Sequence, residues 1–324
     1  MKIGLLEILP GFGGGNTYQK YIIRALKKEH DVNFFKVDTH PWLGVRLGKT
    51  YNSSKIMRSH PEIDLWICVY HPTIGLSLSR PRGKIVSLFY HYDDSVHPNV
   101  LLAEILWKIY LMQTRKCDSV VCIAEYWRNY LEDHHVQNLD LIYWGFDVSS
   151  FQFSQENILD FKRKYKLMDK LVIYLGNCQE RKGVVDAYEQ LKNFNAHLLT
   201  SGVQEVKIPV RNLALDYKEY RLLLAASDVV LTLSKFKEGW NATAHEALLA
   251  GTPVIGSSLG GMYELLERAG QLVCTDINQL TNLVTYALDH KLELGEKGHL
   301  YAKQFTLDRF DEAWLNLIKR MAPQ

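Results

Sequence analysis

Short apolar runs alternate with helical patterns along this chain, and the alternation restarts after residue 150. KIGLLEI (2–8), VNFFKV (32–37), IDLWICV (63–69), KIVSLFY (84–90) and SVVCIA (119–124) read as buried strands. Residues 16–28 and 101–115 read as helices between them. A second set follows: KLVIYLG (170–176), AHLLTS (196–201), VVLTLS (229–234), PVIGS (253–257) and QLVCT (271–275). Apolar runs joined by helices require parallel sheets with right-handed crossovers. The expected fold is therefore α/β, with two Rossmann-like, doubly wound domains facing each other across a cleft. IYWGFDVSSFQFS (142–154), rich in turn formers and aromatics, reads as the linker. At 324 residues the chain exceeds what one core usually supports.

Composition narrows the function. The net charge is only +2, so no nucleic-acid partner is expected. Five cysteines (Cys68, Cys117, Cys122, Cys178, Cys274) are scattered without a CxxC pair. They read as reduced thiols of a cytoplasmic protein, with no zinc site and no disulfide frame. Glu7 and Pro10 break the first apolar run, which favours a strand over a signal peptide. No run approaches the length needed to span a bilayer.

EGWNATAHEALLAGTP (238–253) carries the sharpest chemistry. Asn241 suits a helix N-cap, Gly251 a C-terminal stop, and Pro253 follows. Residues 242–250 thus form a short helix whose N-terminal N–H groups suit a phosphate. Glu238 precedes the helix and Glu246 lies inside it. A carboxylate accepts two hydroxyls at once, as the diols of ribose and sugars offer. For the two glutamates alone, surface charge and a Thr243–Glu246 capping box are the plainer reading.

This stretch resembles the E-x7-E motif of the family-four retaining glycosyltransferases, which have the GT-B fold. Four further stretches add to the resemblance, in the family's order. They are GFDVSSF (145–151), YLGNCQERKG (174–183), the Ala247–Val254 run with Gly260, Gly261 and Glu264, and FTLDRFDEAW (305–314). The last looks like the start of a final helix that crosses back to the first domain. The implied domains are residues 1–147 on the acceptor side, 148–304 for the nucleotide-sugar, and a C-terminal helix, 305–324.

The resemblance implies a retaining transferase that moves a sugar from a UDP- or GDP-linked donor to a glycan, lipid-linked or other hydroxyl acceptor. Glu246 would bind the donor ribose, and Glu238 would contact the transferred sugar. The backbone of Gly239, Trp240, Asn241, Ala242 and Thr243 would line the sugar and diphosphate. Lys182 would neutralise charge on the departing diphosphate, helped by Arg181. Arg181 and Lys182 also read as a solvated turn. Asn177 stands where the family has arginine, and an amide is the poorer diphosphate partner. In the first domain, the glycine turn with Gly14 and Gly15 would border the diphosphate, and His91 would lie near the sugar. A tight strand-to-helix turn and a structural histidine are the plain alternatives. Asp93 and Asp94 do not form a D-x-D metal motif, so neither a metal nor another cofactor is expected.

Residues 39–61 contain Arg46, Lys49, Lys55 and Arg58, no acid, and Trp42, Leu43 and Leu47. They read as an extended basic loop, suited to peripheral membrane contact or to a phosphorylated acceptor. Three other functions remain open: a nucleotide-sugar epimerase of the same fold, a non-catalytic nucleotide-sugar-binding subunit, and a dinucleotide oxidoreductase using the glycine turn with Asp38.

Overall fold

The computed structural model describes residues 1–7, 14–40, 42–93 and 100–322. Contacts divide the chain into two units, residues 1–145 with 307–324, and residues 146–306. The first unit contains β1 (Lys2–Glu7), α1 (Gly14–Leu26), β2 (Asp31–Lys36), α2 (Gly44–Ser59), β3 (Leu65–Cys68), α3 (Tyr70–Gly75), β4 (Lys84–Phe89), α4 (Val100–Thr114), β5 (Ser119–Cys122), α5 (Glu125–Asp133) and β6 (Leu139–Leu141). Its six strands are all parallel, in the order β2-β1-β3-β4-β5-β6. Every residue of β3 and β5 is buried, as expected for strands covered on both faces.

The second unit contains α6 (Gln155–Lys164), β7 (Leu171–Asn177), α7 (Val184–Leu191), β8 (Ala196–Ser201), β9 (Arg211–Leu213), α8 (Tyr217–Ala226), β10 (Val229–Thr232), α9 (Ala242–Leu249), β11 (Val254–Ser257), α10 (Gly261–Arg268), β12 (Leu272–Cys274), α11 (Leu280–Asp289) and α12 (Lys291–Ala302). Its parallel sheet runs β12-β11-β10-β7-β8-β9. Counted from its own first strand, this is the 3-2-1-4-5-6 order of the dinucleotide-binding fold. All five cysteines are free and buried. Among the described residues, no helix is long and apolar enough to cross a membrane.

Two differences from the sequence reading have clear causes. Residues 44–59, expected as an extended loop, are the helix α2. Its pattern is inverted. The buried face carries Gly48, Lys49, Thr50, Ser53, Ser54 and Met57, while Val45 and Leu47 are exposed. Small inward residues allow close approach: a Cβ on Gly75 of α3 would lie 2.8 Å from the Thr50 carbonyl oxygen. A search for outward polar residues passes over such a helix. The edge strands β6 and β9 were also missed, because each has only three residues, too few to show the alternation that marks a strand.

A final helix, α13 (Leu307–Met321), completes the first unit. Its Asp311 is paired with Arg24 (2.5 Å) and Lys28 (2.7 Å) near the end of α1. Beneath that pair the edge of the Tyr18 ring meets Phe310 (5.1 Å) and Trp314 (6.4 Å), and the Tyr18 hydroxyl donates to the Ile142 carbonyl (2.8 Å). Trp314 is fully buried. Trp314→Ala should destabilise the first unit by about 3–5 kcal/mol, the usual cost of emptying a buried tryptophan site. Urea unfolding followed by far-UV dichroism should show the midpoint fall with the slope unchanged.

Candidate functional site

In an open parallel sheet, ligands bind beyond the carboxyl ends of the strands, where the strand order reverses. In the second unit that point lies between β7 and β10. β7 ends at Gly176 and Asn177. Gly176 has φ +109°, and a Cβ there would come within 3.4 Å of the Leu231 carbonyl on β10. The Asn177 side-chain oxygen accepts from the Tyr174 hydroxyl at 3.2 Å. A short 3-10 turn, Glu180–Lys182, follows and ends at Gly183 with φ +71°. A Cβ on Gly183 would fall 2.1 Å from the Leu233 carbonyl oxygen. Only glycine lets this turn lie against the end of β10, and that contact sets the position of Lys182.

Lys182 reaches Glu238. Its Nζ lies 2.5 Å from Glu238 Oε1 and 4.8 Å from the Phe236 ring centre. The same carboxylate oxygen accepts from Ser234 Oγ (2.5 Å) and Asn241 Nδ2 (3.3 Å). Glu238 is 8% exposed, so its charge depends on these donors. Its carbonyl accepts the Gly261 N–H at 2.9 Å, and a Cβ on Gly260 would collide with that carbonyl at 2.4 Å. Asn241 adopts φ +67°, which asparagine tolerates, and its side chain caps α9 through the Ala244 N–H at 2.9 Å. The N–H groups of Ala242 and Thr243 have no partner within the helix. The capping box suggested for Thr243 and Glu246 does not form.

Asn177, Lys182, Thr232, Ser234, Asn241 and Thr243 line a cavity of about 20 Å³ at the switch point. That is room for roughly one water. Thr232 Oγ1, buried there, has no hydrogen-bond partner among the described residues. The Arg181 guanidinium lies 5.6 Å from the Phe236 ring centre, and the residue is exposed.

Glu246 sits deeper along α9, with 7% exposure. The Tyr217 hydroxyl donates to it at 2.7 Å. Burial pushes its carboxyl up to about 7, while the Tyr217 and Tyr220 hydroxyls and the charge of Arg221 act in the other direction. The Tyr220 hydroxyl also donates to Thr243 Oγ1 at 3.0 Å. The structure thus gathers Asn177, Lys182, Glu238, Asn241 and Thr243 at one strand end, with Glu246 further along the same helix.

Trp240 and His245 hold this loop from behind. Trp240 is 1% exposed and donates its indole N–H to His245 Nδ1 at 3.1 Å. His245 Nε2 bonds the Ala302 carbonyl at 3.1 Å, and the ring stacks on Phe146 at 4.0 Å. Burial lowers its pKa to about 3, so it stays neutral. The Trp240 side chain is therefore committed to the interior. Sequence reasoning missed His245, Tyr217 and Thr232.

The remaining candidates belong to the first unit. His91 is exposed just past β4, 6.4 Å from the Trp127 ring, and Asp93 is buried. Gly14 and Gly15 open α1. The rest of the glycine stretch (8–13) and Asp94 lie outside the described residues. Among the described residues, no group of three His, Cys, Asp or Glu side chains converges as metal ligands would.

Residues 185–291 match the family model described as Family 4 Glycosyltransferase in conflict systems. A trehalose synthase from Pyrococcus horikoshii is 28% identical over 122 residues, covering 36% of this chain and 29% of that enzyme. The chain thus matches about a third of the length of its curated relatives. HepE from Anabaena, solved with UDP, shares 14% identity over 99% of this chain and 100% of its own, with a TM-score of 0.83. It is also known with UDP-glucose, and with UDP and glucose. Sucrose-phosphate synthase from Thermosynechococcus elongatus covers 98% of each chain at 17% identity and TM-score 0.82. The fold is that of the two-domain GT-B glycosyltransferases.

The Gly183 contact yields a test. Gly183→Ala should cost roughly 2–4 kcal/mol, from a left-handed backbone and a carbonyl collision together. Calorimetry should show the transition of the second unit lowered by several degrees.

Proposed function

We propose that this chain, one of the family-four glycosyltransferases, transfers a sugar with retention from a nucleotide-sugar donor to a hydroxyl acceptor. The observation that carries the reading is the Lys182–Glu238–Asn241 cluster at the switch point, directly before the N-terminus of α9. A departing nucleoside diphosphate gains charge as the glycosidic bond breaks. Lys182 and the amides of Ala242 and Thr243 offer fixed positive charge for it. That arrangement supports transfer without a divalent ion. Glu238 then meets the hydroxyls of the transferred sugar, and Glu246 takes the ribose diol.

In this reading Lys182 exchanges one partner for another. It neutralises Glu238 here and would turn to the diphosphate when donor enters. The acceptor's proton passes to the departing phosphate oxygen on the same face, so no protein base is assigned. His91, Gly14 and Gly15, in the first unit, stay in the proposal on the family resemblance alone. UDP is the first donor base to try, since HepE binds it. Glycan and lipid-linked sugar acceptors both suit the reading.

Peripheral membrane contact through residues 39–61 belongs to the same proposal. Trp42 is 88% exposed and Val45 60% exposed, Lys55 and Arg58 of α2 are exposed while Lys49 is buried, and the segment contains no acid. Such a surface suits anionic headgroups.

The donor reading is tested by thermal shift against UDP, GDP, ADP and NAD. One nucleoside diphosphate at about a hundredfold its Kd should add about 2.7 kcal/mol of stability, and Glu246→Ala should abolish the gain. Lys182→Ala should lower kcat/KM about 100-fold, the effect of removing ~3 kcal/mol of transition-state stabilisation. EDTA should leave the rate unchanged. Stabilisation by the nucleotide without turnover on any acceptor would favour a binding subunit instead, with Asn177 as its cause. For the membrane, the protein should sediment with vesicles containing phosphatidylserine, and Trp42→Ala with Arg46→Ala should release it.

A further inference from the structure

Glu246 is buried beneath a tyrosine that nothing in the donor motif requires. Tyr217 opens α8, 29 residues before Glu246 in sequence. Its side chain is unusual in its division: the residue is 55% exposed, yet its hydroxyl points inward to the carboxylate at 2.7 Å. An exposed tyrosine ordinarily keeps its hydroxyl in water. The ring is held by Arg221, whose guanidinium lies 5.0 Å from the Tyr217 centre, 5.6 Å from Phe151 and 6.0 Å from Phe153. Arg221 also donates to the Ser150 carbonyl. Tyr220, one turn along, stacks near Tyr217 at 6.3 Å and turns its hydroxyl to Thr243.

We propose that Tyr217 is a positioning residue of the donor site: with Arg221 behind its ring, its hydroxyl holds the Glu246 carboxylate charged and aimed at the ribose diol. This rests on the donor reading above. A carboxylate offers about four acceptor positions, so one tyrosine leaves room for a diol. A hydrogen bond to the charged form favours that form, which burial opposes.

Among the described residues, Arg221 is the charged group that acts on the Glu246 carboxyl. α8 supplies Tyr217, Tyr220 and Arg221, and Tyr174 faces Glu246 from β7. β10, β11 and the turn 148–151, which also pack against α9, carry no titratable side chain. On α12, Lys291 pairs with Asp228, Lys297 pairs with Glu293, Glu296 is exposed, and His299 bonds the Leu249 carbonyl.

The sign follows. The charged carboxylate binds the diol, and its folded pKa is raised, so nucleotide affinity should climb with pH and level off above neutrality. The experiment is calorimetric titration with UDP, GDP and ADP from pH 5.5 to 9 for wild type, Tyr217→Phe, Arg221→Gln and Glu246→Gln. Tyr217→Phe should move the midpoint of the climb upward. Affinity should then fall about tenfold at pH 7, the value of a hydrogen bond to a charged group, and return to near wild type at pH 9. Arg221→Gln should shift it the same way, and Glu246→Gln should flatten the profile.

A Tyr217→Phe profile that overlays wild type, or drops equally at every pH, overturns the inference, because lost packing alone would do that. If wild type binds no nucleoside diphosphate, or Glu246→Gln binds like wild type, the donor reading falls and takes this inference with it. A flattened Glu246→Gln profile beside an unmoved Tyr217→Phe profile removes only the role of Tyr217.

Discussion

A carboxylate taken out of water must be paired, and much of the second unit's strand-end architecture follows from that need at Glu238. Leaving such a charge alone costs several kcal/mol. Lys182, Ser234 and Asn241 all converge on one of its oxygens. Three of these four residues are placed by a backbone device with little tolerance. Lys182 depends on the glycine at 183, Asn241 on a left-handed backbone, and Glu238 itself on the bare Cα of Gly260. Lys182 is therefore brought to the switch point by the fold itself.

The two glutamates of the loop occupy opposite environments. Glu238 is neutralised by a cation, whereas Glu246 is met mainly by hydroxyls and burial raises its pKa. The difference arises from where α9 begins. Asn241 fixes the first turn, so Glu238 remains in the loop beside β7 and β10, and Glu246 turns toward α8. Behind them Trp240, His245 and Phe146 form a neutral aromatic support that cannot compete for the site's charge.

Much of this was legible in the residues. Short buried runs separated by helical patterns imply parallel sheets, because only crossover helices can bury a strand on both faces. The cap at Asn241 and the stop at Gly251 bound α9 by purely local chemistry. The helix α2 was illegible, since its small residues face inward and its apolar ones outward, contrary to the pattern that identifies a surface helix. β6 and β9 were illegible because three residues are too few to establish a period.

What the sequence determined by itself was local and periodic: two sets of strands, the helix that follows Asn241, and the residue types offered to a ligand. What only the tertiary structure decided was which of those residues meet. Lys182 and Glu238 are 56 positions apart, and Tyr217 and Glu246 are 29 apart. The first pair is made by strand order, because the reversal that sets β7 beside β10 is a property of the sheet and leaves no periodic trace in the chain, and the second by the packing of α8 against α9.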